Sequence, residues 1–208
     1  ISMKNIVKTF GKVVASNHVN FSVHKGEIHA LLGENGAGKS TLMNMLSGIY
    51  LPDGGSIFIE GKEVHFSAPK DSIAAGIGMV HQHFKLIDVM TAEENVILGK
   101  KGLFFRKDES RKIDALAKQF ELDVDLHKKV SDMSVGEKQN LEILKVLYQG
   151  ARILILDEPT AVLTPQETRK LFAIMRKMKA EGCAVIFISH KMNEVMEITD
   201  KITVLRKG

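Results

Sequence analysis

The sequence predicts an α/β fold: a mainly parallel sheet with helices on both faces, joined to an antiparallel β subdomain near the N-terminus and to a helical subdomain inserted at about residues 85–149. Three observations predict it. A glycine-rich loop, Gly33 to Ser40, lies between Glu27–Leu32, an apolar run short enough for a buried strand, and Thr41–Leu46, which reads as a helix. Four consecutive aliphatics, Ile153 to Leu156, read as a strand buried on both faces, as parallel sheets require. Strand and helix signals alternate around the loop and again from Arg152 onward, the pattern of a sheet covered by helices on both sides.

Taken in chain order, Ile1 to about Lys25 and Ser56 to Val64 show the short alternating segments of antiparallel strands, with Pro52-Asp-Gly-Gly55 as a turn between elements. Gly33-Glu-Asn-Gly-Ala-Gly-Lys-Ser40 then fits GxxxxGK followed by Ser or Thr at every defined position, in the strand, loop, helix context that gives the motif its meaning. Its glycines let backbone N–H groups converge on a β-phosphate, and the new helix directs its positive dipole end at the same anion. Lys39 is read as reaching the β- and γ-phosphates and Ser40 as a Mg²⁺ ligand, with Gly33, Asn35, Gly36, Gly38 and Thr41 completing a nucleotide-binding set. A glycine turn that merely opened a helix would need neither the lysine nor the hydroxyl. The core is therefore of the P-loop NTPase (RecA-like) kind and holds a nucleoside triphosphate with Mg²⁺; the loop alone fits kinases, GTPases and many ATPases, and ATP is the nucleotide expected once the signals below are added.

Ile77-Gly-Met-Val80 reads as the next strand, and from about Lys85 to Gln149 helical periodicity replaces strands. Ile113, Leu116, Ala117 and Phe120 fall at i, i+3, i+4 and i+7, the stripe of a core-facing helix, and a further helix runs from about Asn140 through Tyr148. The strand Ile153–Leu156 ends in Asp157 and Glu158, at the carboxyl edge where open α/β sheets hold their ligands. Asp157 suits the Mg²⁺ shell and Glu158 a general base for the attacking water. No Asn-Lys-x-Asp guanine reader is present. Ala184-Val-Ile-Phe-Ile188 is the last buried strand before His190, and Lys201 to Gly208 reads as a strand running into a turn.

Composition limits the function classes. A hydrophobic share of 44% over 208 residues supports a sizeable core, and the single cysteine, Cys183, excludes a disulfide framework. No apolar stretch approaches the roughly 20 residues of a membrane helix. The net charge of +4 is dispersed: Lys100, Lys101, Arg106, Lys107, Asp108, Glu109, Arg111 and Lys112 mix both signs as on a solvated helical face, so no specific nucleic-acid partner is expected. His81 and His83, at i and i+2 without a further nearby ligand, read as ordinary polar loop residues.

The order of phosphate loop, Gln82 after Ile77–Val80, Met133-Ser-Val-Gly-Glu-Lys-Gln139, Asp157-Glu158 and His190 resembles an ATP-binding cassette nucleotide-binding domain over essentially the whole chain. The wording Ser-Val-Gly-Glu-Lys-Gln and the runs Val80–Leu86 and Pro159–Glu167 are similar to importers for nucleosides and simple sugars. The resemblance implies that Phe10 stacks on adenine with Val14 and Ala15 beside it. It makes Gln82 and His190 catalytic partners of Glu158, with Gln82 touching Mg²⁺ and the attacking water and His190 contacting the γ-phosphate. Ser134, Gly136 and Glu137 would meet the ATP of an opposing cassette, although Met133, Val135 and Glu137 replace the commoner residues of that signature and Ala161-Val-Leu-Thr164 replaces the usual Ser-Ala-Leu-Asp. It also implies a second nucleotide-binding domain, in tandem or as a homodimer, permease subunits received by the helical lobe (about 85–149), and a substrate-binding protein acting indirectly. The protein would then lie at the cytoplasmic face of the membrane, with Leu103-Phe-Phe105 as candidates for packing or for that contact. Both ends look cut, as in an N-terminal half of a longer chain. Two rivals remain at this stage. One is a cassette ATPase acting on DNA or ribosomes, which should carry long coiled-coil or basic insertions. The other is a nucleotide-binding subunit without catalysis, which steady-state ATPase would expose.

Overall fold

The computed structural model describes residues 1–99 and 107–208; the charge run's Lys100, Lys101 and Arg106, and the Leu103–Phe105 candidates, lie outside the described residues. Four strands, β1 (Ser2–Phe10), β2 (Val13–Ser22), β4 (Gly54–Ile59) and β5 (Lys62–Val64), form an antiparallel sheet in the order β2-β1-β4-β5. Five more, β3 (Ile28–Leu32), β6 (Ile77–Val80), β7 (Ile153–Asp157), β8 (Ala184–Ile188) and β9 (Lys201–Val204), form a parallel sheet in the order β6-β7-β8-β3-β9. The helices are α1 (Lys39–Leu46), α2 (Pro69–Ala74), α3 (Ala92–Ile97), α4 (Lys107–Gln119), α5 (Val135–Tyr148), α6 (Pro165–Ala180) and α7 (Met192–Ile198).

The two faces of the parallel sheet follow from the alternation of side chains along each strand. Ala30, Leu154, Leu156, Val185 and Phe187 point to one side, where they join a buried cluster with Ile113 and Ala117 of α4, Phe120 just after it, Leu141 and Leu144 of α5, and Phe172 of α6. Leu31, Ile155, Ile186 and Ile188 point to the other, where they meet Leu42, Met43 and Leu46 of α1 and Met3, Ile6 and Phe21 of the antiparallel sheet. Strands apolar on both faces therefore stand where both faces are covered, and the helical segment shares the buried cluster on one of them.

Two local expectations shift. Helix α5 begins at Val135, five residues earlier than the periodicity suggested, because Ser134 caps it: the Glu137 N–H donates to Ser134 Oγ (3.2 Å) and the Ser134 N–H donates to Glu137 Oε2 (2.7 Å). The turn ends at Asp53, and Gly54 and Gly55 already belong to β4. Pairing with β1 starts there because the Asp53 N–H donates to the Val7 carbonyl at 2.8 Å, and Gly54 faces Val7 in register.

Candidate nucleotide site

All five strands of the central sheet run the same way, so their carboxyl ends share one edge. Asp157 pairs with Ile188 and Ile188 with Leu31, which puts Asp157 level with the last residues of β3, two strands or about 10 Å away. The sheet thereby gathers the phosphate loop, the two acids, His190 and, just beyond the end of β6, Gln82 along one rim.

The loop is shaped by close backbone approaches. A Cβ on Gly33 would lie 2.4 Å from the Leu205 carbonyl oxygen, and one on Gly38 2.2 Å from that of Ala15. Gly38 also has φ of 99° as the N-cap of α1, a conformation open to glycine. Its contact with Ala15 fixes β2 against the loop. Since Val14 pairs with Thr9 and Val13 with Phe10, that contact also carries Phe10 to the loop's flank, where the ring is 44% exposed. Tyr50 meets Phe10 edge-on with ring centroids 5.3 Å apart, and Lys8 Nζ lies 5.5 Å from the ring centre. Neither neighbour was legible in the sequence.

Lys39 is 8% exposed, its ammonium donating to the Gly33 (2.7 Å) and Glu34 (3.1 Å) carbonyls. Ser40 is exposed at the start of α1, beside the half-buried Thr41, while Asn35 and Gly36 stand exposed on the loop. Across the rim, burial raises the pKa of Asp157 above the ordinary carboxylate value and the charge of Glu158 raises it further, against the opposing influence of His81 and Lys39. His81 in turn is lowered, first by burial and then by Lys85, with Asp157 pulling the other way. His81 therefore belongs to the site's electrostatics, which its sequence spacing did not reveal; His83 is exposed.

Glu158 adopts φ of 49°, in the left-handed region that bulky residues seldom occupy, immediately after β7. Its N–H is held by the Ile188 carbonyl at 3.0 Å. Its Oε2 lies 2.9 Å from Nδ1 of His190 but outside hydrogen-bond geometry, so this buried oxygen has no hydrogen-bond partner among the described residues. Burying a carboxylate oxygen so is costly, and strain concentrated with it marks a site where structure yields to chemistry. The donors fit Mg²⁺: an exposed hydroxyl at Ser40, two adjacent carboxylates whose burial favours a compensating cation, and among the described residues no cage of three His, Cys, Asp or Glu. Mg²⁺ is typically held in that way, by one or two protein oxygens together with substrate phosphates.

Ser134 and Gly136 stand apart from this rim. Ser134 is exposed at the start of α5, and Glu137, after capping it, pairs with Lys128 at 2.8 and 3.0 Å, which with the Ser134 N–H holds the Glu137 carboxyl below its usual range. They share a pocket with Asp123, Asn140, Leu163, Glu167 and Lys170, none of which is part of the phosphate loop.

Known proteins resemble this chain in sequence and fold. A family model described as ABC transporter matches residues 16–161. The chain is 49% identical over 212 residues to the nucleoside import ATP-binding protein NupA of Lactococcus lactis, covering 100% of this chain and 42% of the relative. It is 51% identical over 212 residues to the guanosine import ATP-binding protein NupO of Bacillus subtilis, again covering 100% and 42%. To the ribose import ATP-binding protein RbsA of Hahella chejuensis it is 46% identical over 213 residues, with the same coverage. The chain thus spans less than half the length of these curated relatives. A crystal structure of an ATP-binding cassette of an ABC transporter in its ADP conformation superposes with a TM-score of 0.90 at 27% identity, covering 100% of this chain and 87% of that one. A dimeric, post-hydrolysis cassette bound to ADP and Pi gives 0.83 at 25% identity, covering 100% and 94%.

Proposed function

Because this chain belongs to the ABC transporter family, we propose that it is an ATP-hydrolysing cassette that powers a membrane importer for nucleosides or simple sugars, as one part of a longer protein. The observation that carries the proposal is the convergence of Lys39, Asp157, Glu158 and His190 on one sheet edge, with a buried carboxylate oxygen of Glu158 left without a hydrogen-bond partner among the described residues. The names of the relatives support the import reading, and their length supports a second cassette in the same chain. Permease subunits are the partners, and a substrate-binding protein acts through them. In this reading the permeases supply the membrane path and the cassette works as a peripheral subunit at the cytoplasmic face; no helix of the described residues is long and apolar enough to cross a membrane.

In this reading Phe10 stacks on the adenine, while Gly33, Asn35, Gly36, Gly38 and Thr41 set the loop around the phosphates. Lys39 leaves the Gly33 and Glu34 carbonyls for the β- and γ-phosphates. Ser40, Asp157 and Gln82 hold Mg²⁺, which when bound offsets charge on the phosphate oxygens. Glu158 removes a proton from the water that attacks the γ-phosphorus, the bond to the β-phosphate oxygen breaks, and ADP and phosphate leave. His190, 2.9 Å from Glu158, orients that carboxylate and contacts the γ-phosphate. Gln82 holds the attacking water.

Ser134, Gly136 and Glu137 belong to the second half of a shared site, completed only when another cassette presents its own ATP. Substituting Ser134 with Arg places a bulky cation in that half-site alone. It should leave ATP binding to the monomer intact by calorimetry and abolish turnover. Normal hydrolysis by this variant would remove the shared-site reading while leaving the phosphate loop's role untouched.

A further inference from the structure

One carboxylate serves two helix starts. Thr164 caps α6, and Oε2 of Glu167 accepts from both the Thr164 N–H (2.8 Å) and its hydroxyl (2.8 Å), while the Glu167 N–H donates back to Thr164 Oγ1 (3.3 Å). The other oxygen faces the start of α5: a Cβ on Gly136 would lie 2.7 Å from Glu167 Oε1 and 3.2 Å from its Cγ and Cδ. A larger residue at this position would push the end of the Glu167 side chain aside. Thr164 and then the Gly136 N–H draw the carboxyl below its ordinary pKa, so it is an anion at neutral pH. A cavity of about 260 Å³ opens beside it, lined also by Ser134, Asn140 and Lys170 and by Gln139. Gln139 is 3% exposed, and its Nε2 has no hydrogen-bond partner among the described residues. The start of α5 thus offers an unspent donor as well as its dipole.

We propose that Glu167 is the positioning residue of the opposing-nucleotide half-site: it clips the start of α5 to the start of α6 and, as a resident anion beside Gly136, sets how readily that half-site accepts the partner's γ-phosphate. The inference rests on the shared-site reading above. Through Thr164 the clip also fixes the segment 159–164, which leads from Glu158 to α6. A phosphate approaching Ser134 and Gly136 must share the positive end of α5 with a carboxylate already there. Of the other acids around that pocket, Glu137 is paired with Lys128, whereas Lys170 is the smallest of the influences on Glu167, so the Glu167 charge weighs in the balance.

Glu167→Gln isolates the charge. Glutamine at this position still closes a capping box with Thr164, so α6 keeps its start. In a Glu158→Gln background, which holds ATP without consuming it, sedimentation velocity with Mg-ATP should show dimers forming about three- to fivefold more tightly in Glu167→Gln, the effect of one partly screened charge at this range. The gain should vanish in about 1 M salt, where charges a few ångströms apart no longer sense each other. A purely structural clip would show no such salt dependence. Equal or weaker dimerisation in Glu167→Gln at low salt, or a gain that persists in high salt, would overturn the proposal. If Ser134→Arg still hydrolyses ATP, the shared-site reading has failed; if Ser134→Arg is dead and Glu167→Gln dimerises like its parent, the role of Glu167 alone has failed.

Discussion

Glu158 combines three costs at one residue: a left-handed backbone, a buried oxygen without a hydrogen-bond partner among the described residues, and a like charge on Asp157 next door. A chain selected for stability alone would relieve at least one. Replacing Glu158 with Gln removes the like charge, so Asp157 ionises more easily and the empty site gains stability. The expected result is a Tm higher by about 1–4 °C, the scale of up to 1 kcal/mol in a domain of this size. Hydrolysis should slow by about 10²- to 10⁴-fold with ATP binding retained, the usual worth of a general base. Calorimetry together with a phosphate-release assay reads both outcomes. A variant that turns over at the parent rate would pass the base role to His190. Opposite signs for stability and activity would identify the like-charged pair at this position as part of the catalytic arrangement.

At the level of elements, Asp53 joins the end of β1 to the segment before β4, accepting from Lys8 Nζ (2.8 Å), the Thr9 N–H (2.7 Å) and the Thr9 hydroxyl (2.8 Å). Lys8 first, and then Thr9, pull its pKa from the ordinary carboxylate value down to about 2. A depressed folded-state pKa means that the group's contribution is complete above the unfolded value near 4 and is lost as pH falls from about 4 towards 2. Wild-type stability should therefore fall more steeply through that window than that of Asp53→Asn, which urea titrations at stepped pH would show. Parallel curves would refute the tie. Since Phe10 follows Thr9, the same variant should also bind ATP more weakly than wild type at neutral pH. Nothing in the spacing of Lys8, Thr9 and Asp53 announced this contact, because the partners are 44 and 45 residues apart. The same holds for Glu167 with Gly136 and for His81 with Asp157. The phosphate loop, the strand ending in Asp157 and Glu158, and the stripe of α4 were legible because each is a local pattern whose chemistry or periodicity lies within one element. The start of α5 was missed by five residues because apolar periodicity begins later than the cap that sets the helix.

For the whole molecule, the decisive feature is that the residues proposed to act on one nucleotide occupy two separate places. Lys39, Asp157 and Glu158 line the sheet edge, while Ser134 and Gly136 open α5 beside Leu163 and Glu167. If one ATP needs both sets, a single copy of this chain holds two half-sites and no complete one. Without permeases, and with less than half the length of its relatives, the chain must find its partner by diffusion. Turnover per molecule should then depend on concentration. Well below the dimer dissociation constant the total rate is second order, so a hundredfold dilution lowers turnover per molecule by about a hundredfold, in keeping with mass action. Near saturation the dependence flattens, and the midpoint reports the affinity of two cassettes for each other in the presence of ATP. Raising salt should move that midpoint upwards where charge draws the γ-phosphate to α5, since exposed charges are screened over about 10 Å at 0.1 M and less beyond it. A monomeric ATPase behaves differently: its turnover per molecule stays constant across the dilution series, and that outcome would show that one copy carries every group hydrolysis requires.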